Sequence, residues 1–151
     1  MSPGPHFERY IGIDYSGARV ATTSLKGLRV YLADRTASPQ EVPPPASLRK
    51  YWTRKGIAEW LVERLSDGPP AIVGIDHGFS FPMAYFKRHG LRHDWPAPSP
   101  RRTADQHDAW VVAEWMRTAD ANGALASALR PAMDIDDRTL AEIEGWILGV
   151  G

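Results

Sequence analysis

The stretch "ERYIGIDYSGA", residues 8–18, ends an apolar run on Asp14 and then passes directly into a Ser-Gly turn. Tyr10, Ile11 and Ile13 give the run the composition of a buried strand. The same pattern occurs in "PAIVGIDHGFSFP", residues 70–82, where Asp76 ends the run. Both runs are therefore predicted to be strands that each deliver one carboxylate at the carboxyl end.

The first strand is predicted to begin a three-stranded antiparallel meander. Residues 8–14, 19–25 and 27–33 supply the strands, because the last two runs are rich in β-formers and a Lys26-Gly27 turn separates them. The proline-rich residues 39–47 follow. They are predicted to form a loop, since proline cannot donate a hydrogen bond to a strand ladder.

A helix is predicted between the meander and the second Gly-Ile-Asp strand. Thr53 has the character of an N-cap and Gly68 lies past the end. A helix between two strands is the usual parallel crossover, so Asp14 and Asp76 are expected at the same edge of the sheet. The residues at helical spacing that are predicted to face the core are Ile57, Trp60, Leu61 and Leu65.

The strongest helix signal begins at Thr103, which forms a capping-box pattern with Gln106 and is followed by an Asn122-Gly123 stop. Residues 81–90 are predicted to form a short helix and residues 95–102 another proline-rich loop. Two further short helices are predicted at residues 125–131 and 137–149. The last is expected to bury Leu140, Ile143, Ile147 and Leu148.

The length predicts one domain spanning residues 1–151, since it buries a single core, and the order of strands and helices predicts that this domain is α/β. The chain has no cysteine, which excludes disulfides and thiolate metal sites and suits a reducing compartment. No apolar run reaches the roughly 18 residues of a membrane span, and the N-terminus does not resemble a signal peptide. We therefore expect a cytoplasmic protein that does not enter a membrane.

The net charge of zero conceals an uneven distribution. Residues 1–102 contain 15 Lys and Arg against 9 Asp and Glu, whereas residues 103–151 contain 3 against 9. A phosphate-facing patch is one interpretation of the basic excess, and solvated side chains over aromatic rings are the other. The basic clusters are Arg49, Lys50, Arg54 and Lys55; Lys87, Arg88 and Arg92; and Arg101 with Arg102.

Two more carboxylates are predicted to join those at the strand ends. Asp105, Asp108, Val112 and Trp115 share one helix face because their spacing is three, four and three residues. Val112 and Trp115 are expected to face the core, which would direct both acids toward the edge of the sheet that carries Asp14.

Four converging carboxylates would repel one another unless cations neutralised them. The hard cations Mg²⁺ and Mn²⁺ prefer such oxygen ligands, and a two-metal site can hydrolyse phosphodiesters. The alternatives are that Asp14 and Asp76 only shape turns and that Asp105 only complements the helix dipole. His77 and His107, each next to a predicted ligand, are either proton shuttles or ligands, or solvent-facing neighbours.

Three stretches together carry a resemblance: "YIGIDYSGA", "IVGIDHGFSFP" and "DQHDAWVVAEWM", the last followed by "AEIEGWILG". They resemble the motifs of the ribonuclease H-like superfamily, and are similar to an uncharacterised family of predicted nucleases with that fold and more distantly to the Holliday-junction resolvases. In that superfamily the first and fourth strands each carry an acid, and the helix after the fifth strand carries one or two. The resemblance implies a ribonuclease H-like mixed sheet and a catalytic, metal-binding set of Asp14, Asp76, Asp105 and Asp108.

The chain departs from the superfamily after Asp76. Only 26 residues, 77–102, separate Asp76 from Thr103, and no fifth strand is predicted there. The leading hypothesis is a Mg²⁺- or Mn²⁺-dependent nuclease that acts on nucleic acid. A second is an inactive domain of the same fold that binds nucleic acid or protein, with an open strand edge that would permit a homodimer. An actin-like ATP-binding domain ranks last, because "IDHGFS" is a poor phosphate loop.

Overall fold

The computed structural model describes residues 4–15, 20–76, 100–130, 135, 136, 138 and 139. Four strands form a mixed sheet in the order β3-β2-β1-β4, in which β1 is antiparallel to β2 and parallel to β4. The predicted α/β class and the mixed sheet with flanking helices are confirmed. The elements are β1 (Arg9–Tyr15), β2 (Leu28–Asp34), β3 (Gln40–Glu41), α1 (Arg54–Ser66), β4 (Ala71–Asp76), α2 (Ala104–Ala121) and α3 (Ala124–Leu129).

The helix starts and stops follow the sequence signals. The Thr53 hydroxyl accepts a hydrogen bond from the Gly56 N–H at 2.9 Å and caps α1. At the start of α2 both bonds of the capping box between Thr103 and Gln106 are present. Gly123 follows α2 with a φ of 81°, a left-handed conformation that glycine adopts without strain. The predictions for residues 81–90, 95–99 and 140–149 lie outside the described residues.

The predicted strand at residues 19–25 is wrong for its described part, which begins at residue 20 and forms turns and coil. Its backbone bonds to the start of α1 and the residues just before it: the Leu25 N–H donates to the Trp52 carbonyl at 3.0 Å, and the Lys55 N–H in the first turn of α1 donates to the Ala21 carbonyl at 3.0 Å. The first strand therefore pairs directly with β2 and not with this segment.

The loop predicted at residues 39–47 is also corrected, because it begins with a short strand. Gln40 pairs with Leu32, and Glu41 pairs with Tyr31, in antiparallel register. Pro39 precedes the pair and the next proline is Pro43, so both residues of β3 keep the N–H that a ladder requires. The third antiparallel strand of the sheet is thus β3.

One face of the sheet packs against α1. Ile11, Ile13, Leu28 and Val30 form a buried cluster there with Trp52, Ile57 and Trp60. The rings of Trp52 and Trp60 meet edge to face, with centroids 5.9 Å apart. Of the predicted core residues of α1, Leu65 is 48 % exposed, so its assignment to the core is wrong. It lies in the last turn, near the end of the helix.

The other face packs against α2, which lies unusually close to β1. A Cβ atom added to Gly12 would stand 2.0 Å from the Ala109 carbonyl oxygen and 2.7 Å from the Ala113 nitrogen. One added to Gly74 on β4 would stand 2.5 Å from Val112 Cγ1. Gly12 thus allows the helix backbone to rest on β1, and Gly74 leaves room on β4 for the side chains of Val112 and Met116.

This close approach corrects the predicted core face of α2. Trp115 is 39 % exposed rather than buried, whereas Val112 is half-buried and packs against the core as predicted. The contact line passes through small residues because a helix this close to β1 leaves no room for an indole ring. The residues of α2 that are buried instead are His107, Ala109, Val111, Ala113, Met116, Ala119 and Asp120.

A buried carboxylate fixes the N-terminal segment to the far end of α2. Asp120, only 3 % exposed, accepts hydrogen bonds from the His6 N–H at 3.0 Å, the Phe7 N–H at 2.9 Å and the Tyr10 hydroxyl at 2.7 Å. Burial alone would raise the pKa of Asp120, but these three donors hold it below its usual value. Burial and the neighbouring Asp120 raise the pKa of Tyr10 to about 12.

We expect Asp120→Asn to lower the free energy of unfolding by about 2 kcal/mol at pH 7, because the amide presents an NH₂ group to one of the buried donors. A lowered carboxylate pKa contributes stability above the unfolded value of about 3.9 and loses it as pH falls through the folded value. The difference between variant and wild type should therefore shrink in acid. Urea unfolding at pH 7 and in acid measures it, with exposed Glu59→Gln as control; equal stability at pH 7 would contradict this assignment.

Candidate carboxylate site

The two strand-end aspartates lie side by side. Asp14 and Asp76 are register partners in the parallel pair of β1 and β4. Alternate residues of a strand point to the same face, so both side chains lie on the face where Gly12 and Gly74 contact α2. Asp14 is 4 % exposed and Asp76 is half-buried. The predicted adjacency of these two acids is therefore present in the fold.

The helix brings Asp108 toward the same place. Met116 and Val112 both approach Gly74, and Asp108 lies one turn nearer to the start of α2 than Val112. One helical turn advances about 5.4 Å, close to the roughly 6.6 Å between alternate residues of a strand. Because α2 runs opposite to β4, the step from Val112 to Asp108 matches the step from Gly74 to Asp76.

The electrostatics agree with this alignment. Desolvation by the surrounding protein raises the pKa of Asp108, and the negative charges of Asp76 and Asp105 raise it further, while His107 opposes them. Asp108 thus interacts with two of the other three predicted acids. Asp108 itself is exposed, and Asp105 is half-buried.

A raised carboxylate pKa has a definite effect on stability. The folded state binds the proton of Asp108 more tightly than the unfolded chain does, so stability falls as pH rises through the interval between the two pKa values. Above that interval the charged carboxylate opposes folding. A bound proton or a divalent cation would relieve the repulsion between Asp108 and the carboxylates of Asp76 and Asp105.

The donor chemistry of the site suits a hard cation, since every acid offers carboxylate oxygens. In the described ranges 4–15, 20–76 and 100–130, however, no three His, Asp or Glu side chains converge closely enough to hold a metal ion. Asp14 and Asp76 are register partners, and Asp108 is aligned with Asp76 and interacts with its charge. Among the described residues, these carboxylates do not come close enough together to surround a metal ion.

The two histidines differ in what can be said of them. His107 is 6 % exposed and stacks on Trp110, with ring centroids 6.3 Å apart. The alternative that His107 is a solvent-facing neighbour of a metal ligand is therefore wrong. Its charge acts on Asp108. His77 lies outside the described residues.

A polar bridge beside the acids was missed from the sequence. Glu41 on β3 accepts hydrogen bonds from Arg29 at 2.8 Å and from the Gln106 side-chain amide at 2.8 Å. Arg29 is also the cross-strand partner of Asp14. The bridge ties β2 and β3 to the first turn of α2. The sequence does not indicate this bridge, because residues 39–47 are predicted to form a loop and not a strand that places Glu41 beside β2.

Comparison with protein-family models, with curated protein sequences and with solved structures gives no match to this chain. Among the residues that the structure describes, no helix has the length and apolar character needed to cross a lipid bilayer. A functional interpretation therefore depends on the carboxylate site and the surface around it.

Proposed function

We propose that this domain is a ribonuclease H-like nuclease that hydrolyses phosphodiester bonds of nucleic acid with Mg²⁺ or Mn²⁺. The observation that carries the proposal is the register pairing of Asp14 with Asp76 on adjacent parallel strands, on the face that α2 covers. Neighbouring strand ends that both carry acids, and a helix that adds a third, are what the resemblance to that superfamily implies.

In this proposal Asp14 and Asp76 bind the metal, and Asp105 with Asp108 complete the coordination. A bound divalent ion would activate a water molecule and stabilise the leaving oxygen. The protein positions the ligands: the central strand β1 fixes Asp14, which is buried, and α2 holds Asp108 against the charge of Asp76. Part of the rise in the pKa of Asp108 comes from the negative charge of Asp76, and a cation bound between the two carboxylates would offset that repulsion.

A second candidate function is binding without cleavage. It is favoured by the lack of three converging ligands within the described part of the chain. In the described sheet β4 is an outer strand, and its Ile75 is 51 % exposed. An outer strand of this kind can add a strand from a partner or from a second copy of the chain.

Cleavage assays distinguish the two candidates. The wild-type protein is incubated with labelled single-stranded, duplex, hybrid and branched substrates in Mg²⁺, in Mn²⁺ and in chelator. Products that require a divalent ion support the nuclease. Retained nucleic-acid binding with no product under any condition supports the binding domain, and neither binding nor cleavage contradicts both.

A further inference from the structure

The surface next to Asp14 is basic and aromatic. The Arg54 guanidinium lies 4.8 Å from the ring centroid of Tyr15, the residue that follows Asp14. Arg29, the cross-strand partner of Asp14, lies 5.4 Å from the ring centroid of Tyr51. Two cation–ring contacts therefore adjoin Asp14: one involves the next residue of β1 and the other involves its cross-strand partner.

The next cations continue the same surface. The Lys50 ammonium lies 5.6 Å from the Tyr51 centroid, and neighbouring Arg49 donates to the Thr22 carbonyl. Arg49 and Lys50 are both exposed. We refer to Tyr15, Arg49, Lys50, Tyr51 and Arg54 together as the basic strip.

The backbone beneath the strip is held in place. The Ser24 hydroxyl donates to the Tyr51 carbonyl at 2.8 Å, and the Trp52 indole N–H donates to the Val42 carbonyl at 2.9 Å. The cations therefore project from a fixed support.

No acid within the segment neutralises these charges. Residues 42–58 contain four Lys and Arg and no Asp or Glu. Arg29 pairs with Glu41 at 2.8 Å, so its charge is already partnered. Lys55 lies 3.7 Å from Glu59 at the surface. The charge available to an anion is concentrated at Arg49 and Lys50.

A groove adjoins the strip. Its volume is about 290 Å³, at the lower end of the roughly 300–1,000 Å³ of ligand pockets. The lining includes Pro44, Pro45, Arg49, Tyr51 and Trp52. Flat rings beside cations on a groove are typical of surfaces that bind single strands, where bases stack and phosphates meet Lys and Arg.

We infer that the basic strip binds the backbone of single-stranded nucleic acid and leads the strand to the carboxylates. This inference rests on the proposed function, since it names the substrate of that site. Asp14 and Tyr15 are consecutive at the carboxyl end of β1, with side chains on opposite faces of the sheet, so a strand that passes from Tyr15 and Arg54 around this end reaches the acids. Four carboxylates would repel phosphate, and the strip supplies the attraction that they lack.

The test measures binding without cleavage. A fluorescein-labelled single-stranded oligodeoxynucleotide is titrated in chelator by fluorescence anisotropy at several salt concentrations. In Arg49→Gln/Lys50→Gln, we expect roughly 10- to 30-fold weaker binding near 0.1 M salt and a salt slope smaller by about 1.4, because two phosphate contacts are lost. Both residues are exposed, so the fold should be retained, which circular dichroism verifies.

The matched control is Lys26→Gln/Arg64→Gln, which removes the same two charge types from exposed positions outside the strip. Arg64 also stacks on an aromatic ring, 5.7 Å from the Trp60 centroid. The control should bind like wild type. Equal loss in both variants, no binding by wild type, or tighter binding of a duplex overturns the inference. Because chelator is present, the result is independent of whether the protein cleaves.

Discussion

The variant Gly12→Ala is expected to lose more than about 3 kcal/mol of the free energy of unfolding, at the upper end of overpacking costs. A Cβ at this position would stand 2.0 Å from the Ala109 carbonyl oxygen and 2.7 Å from the Ala113 nitrogen. Both are backbone atoms of α2, and β1 is held between β2 and β4. A shift of β1 would break its ladder hydrogen bonds, and a shift of α2 would disturb its packing on the sheet and the hydrogen bonds of Asp120.

Urea unfolding monitored by tryptophan fluorescence measures this effect. Gly74→Ala should cost less, because the added Cβ meets the side chains of Val112 and Met116, which can adjust. Gly4→Ala serves as the control, since no atom lies within 4 Å of its added Cβ. A Gly12→Ala protein as stable as wild type would mean that α2 does not rest on β1 as described.

The variant Asp14→Asn is expected to lower metal-dependent cleavage by about 10²- to 10³-fold, the range for loss of one preorganised electrostatic contact in a transition state. The amide has nearly the same size but no charge, and it is a poor ligand for Mg²⁺. Initial rates on the best substrate of the panel, with circular dichroism to verify folding, measure the effect. Asp76→Asn should behave in the same way.

The control for this prediction is Asp34→Asn. Asp34 is the register partner of Arg9 at the start of β1, so it lies at the opposite end of the sheet from Asp14. It bonds only within its own turn among the described contacts, accepting from Thr36 and from the Ala37 N–H. Its cleavage rate should equal that of wild type. If Asp14→Asn also keeps the wild-type rate, Asp14 is not a catalytic residue.

Much of the fold follows from local signals in the sequence. The caps at Thr53 and Thr103 begin helices as predicted. The repeated Gly-Ile-Asp pattern, separated by one helix, indicated the parallel pair that places Asp14 beside Asp76. The caps depend on residues three positions apart in the sequence. The parallel pair follows from the strand-helix-strand order, because a helix between two strands is the usual parallel crossover.

Other features could not be predicted from local pattern. Residues 20–25 have strand-forming side chains, but propensity does not specify the partner, and their backbone bonds go to Trp52 before α1 and to Lys55 in its first turn. The face of α2 was misjudged because helical periodicity ranks Trp115 as core and does not register the space that Gly12 leaves for Ala109. Likewise the role of Asp120 depends on Tyr10, 110 residues earlier.

The proposed function requires Asp14 and Asp76, with Asp108, to bind a divalent cation. Binding of Mn²⁺, followed by the loss of the free-ion electron paramagnetic resonance signal at neutral pH, tests it most directly. We predict that wild type and Asp34→Asn bind Mn²⁺ equally, that Asp14→Asn and Asp76→Asn bind it at least about tenfold more weakly, and that acid weakens binding because protons compete for the carboxylates. Mn²⁺ binding by Asp14→Asn and Asp76→Asn with the affinity of wild type, or no binding by wild type, would contradict the claim.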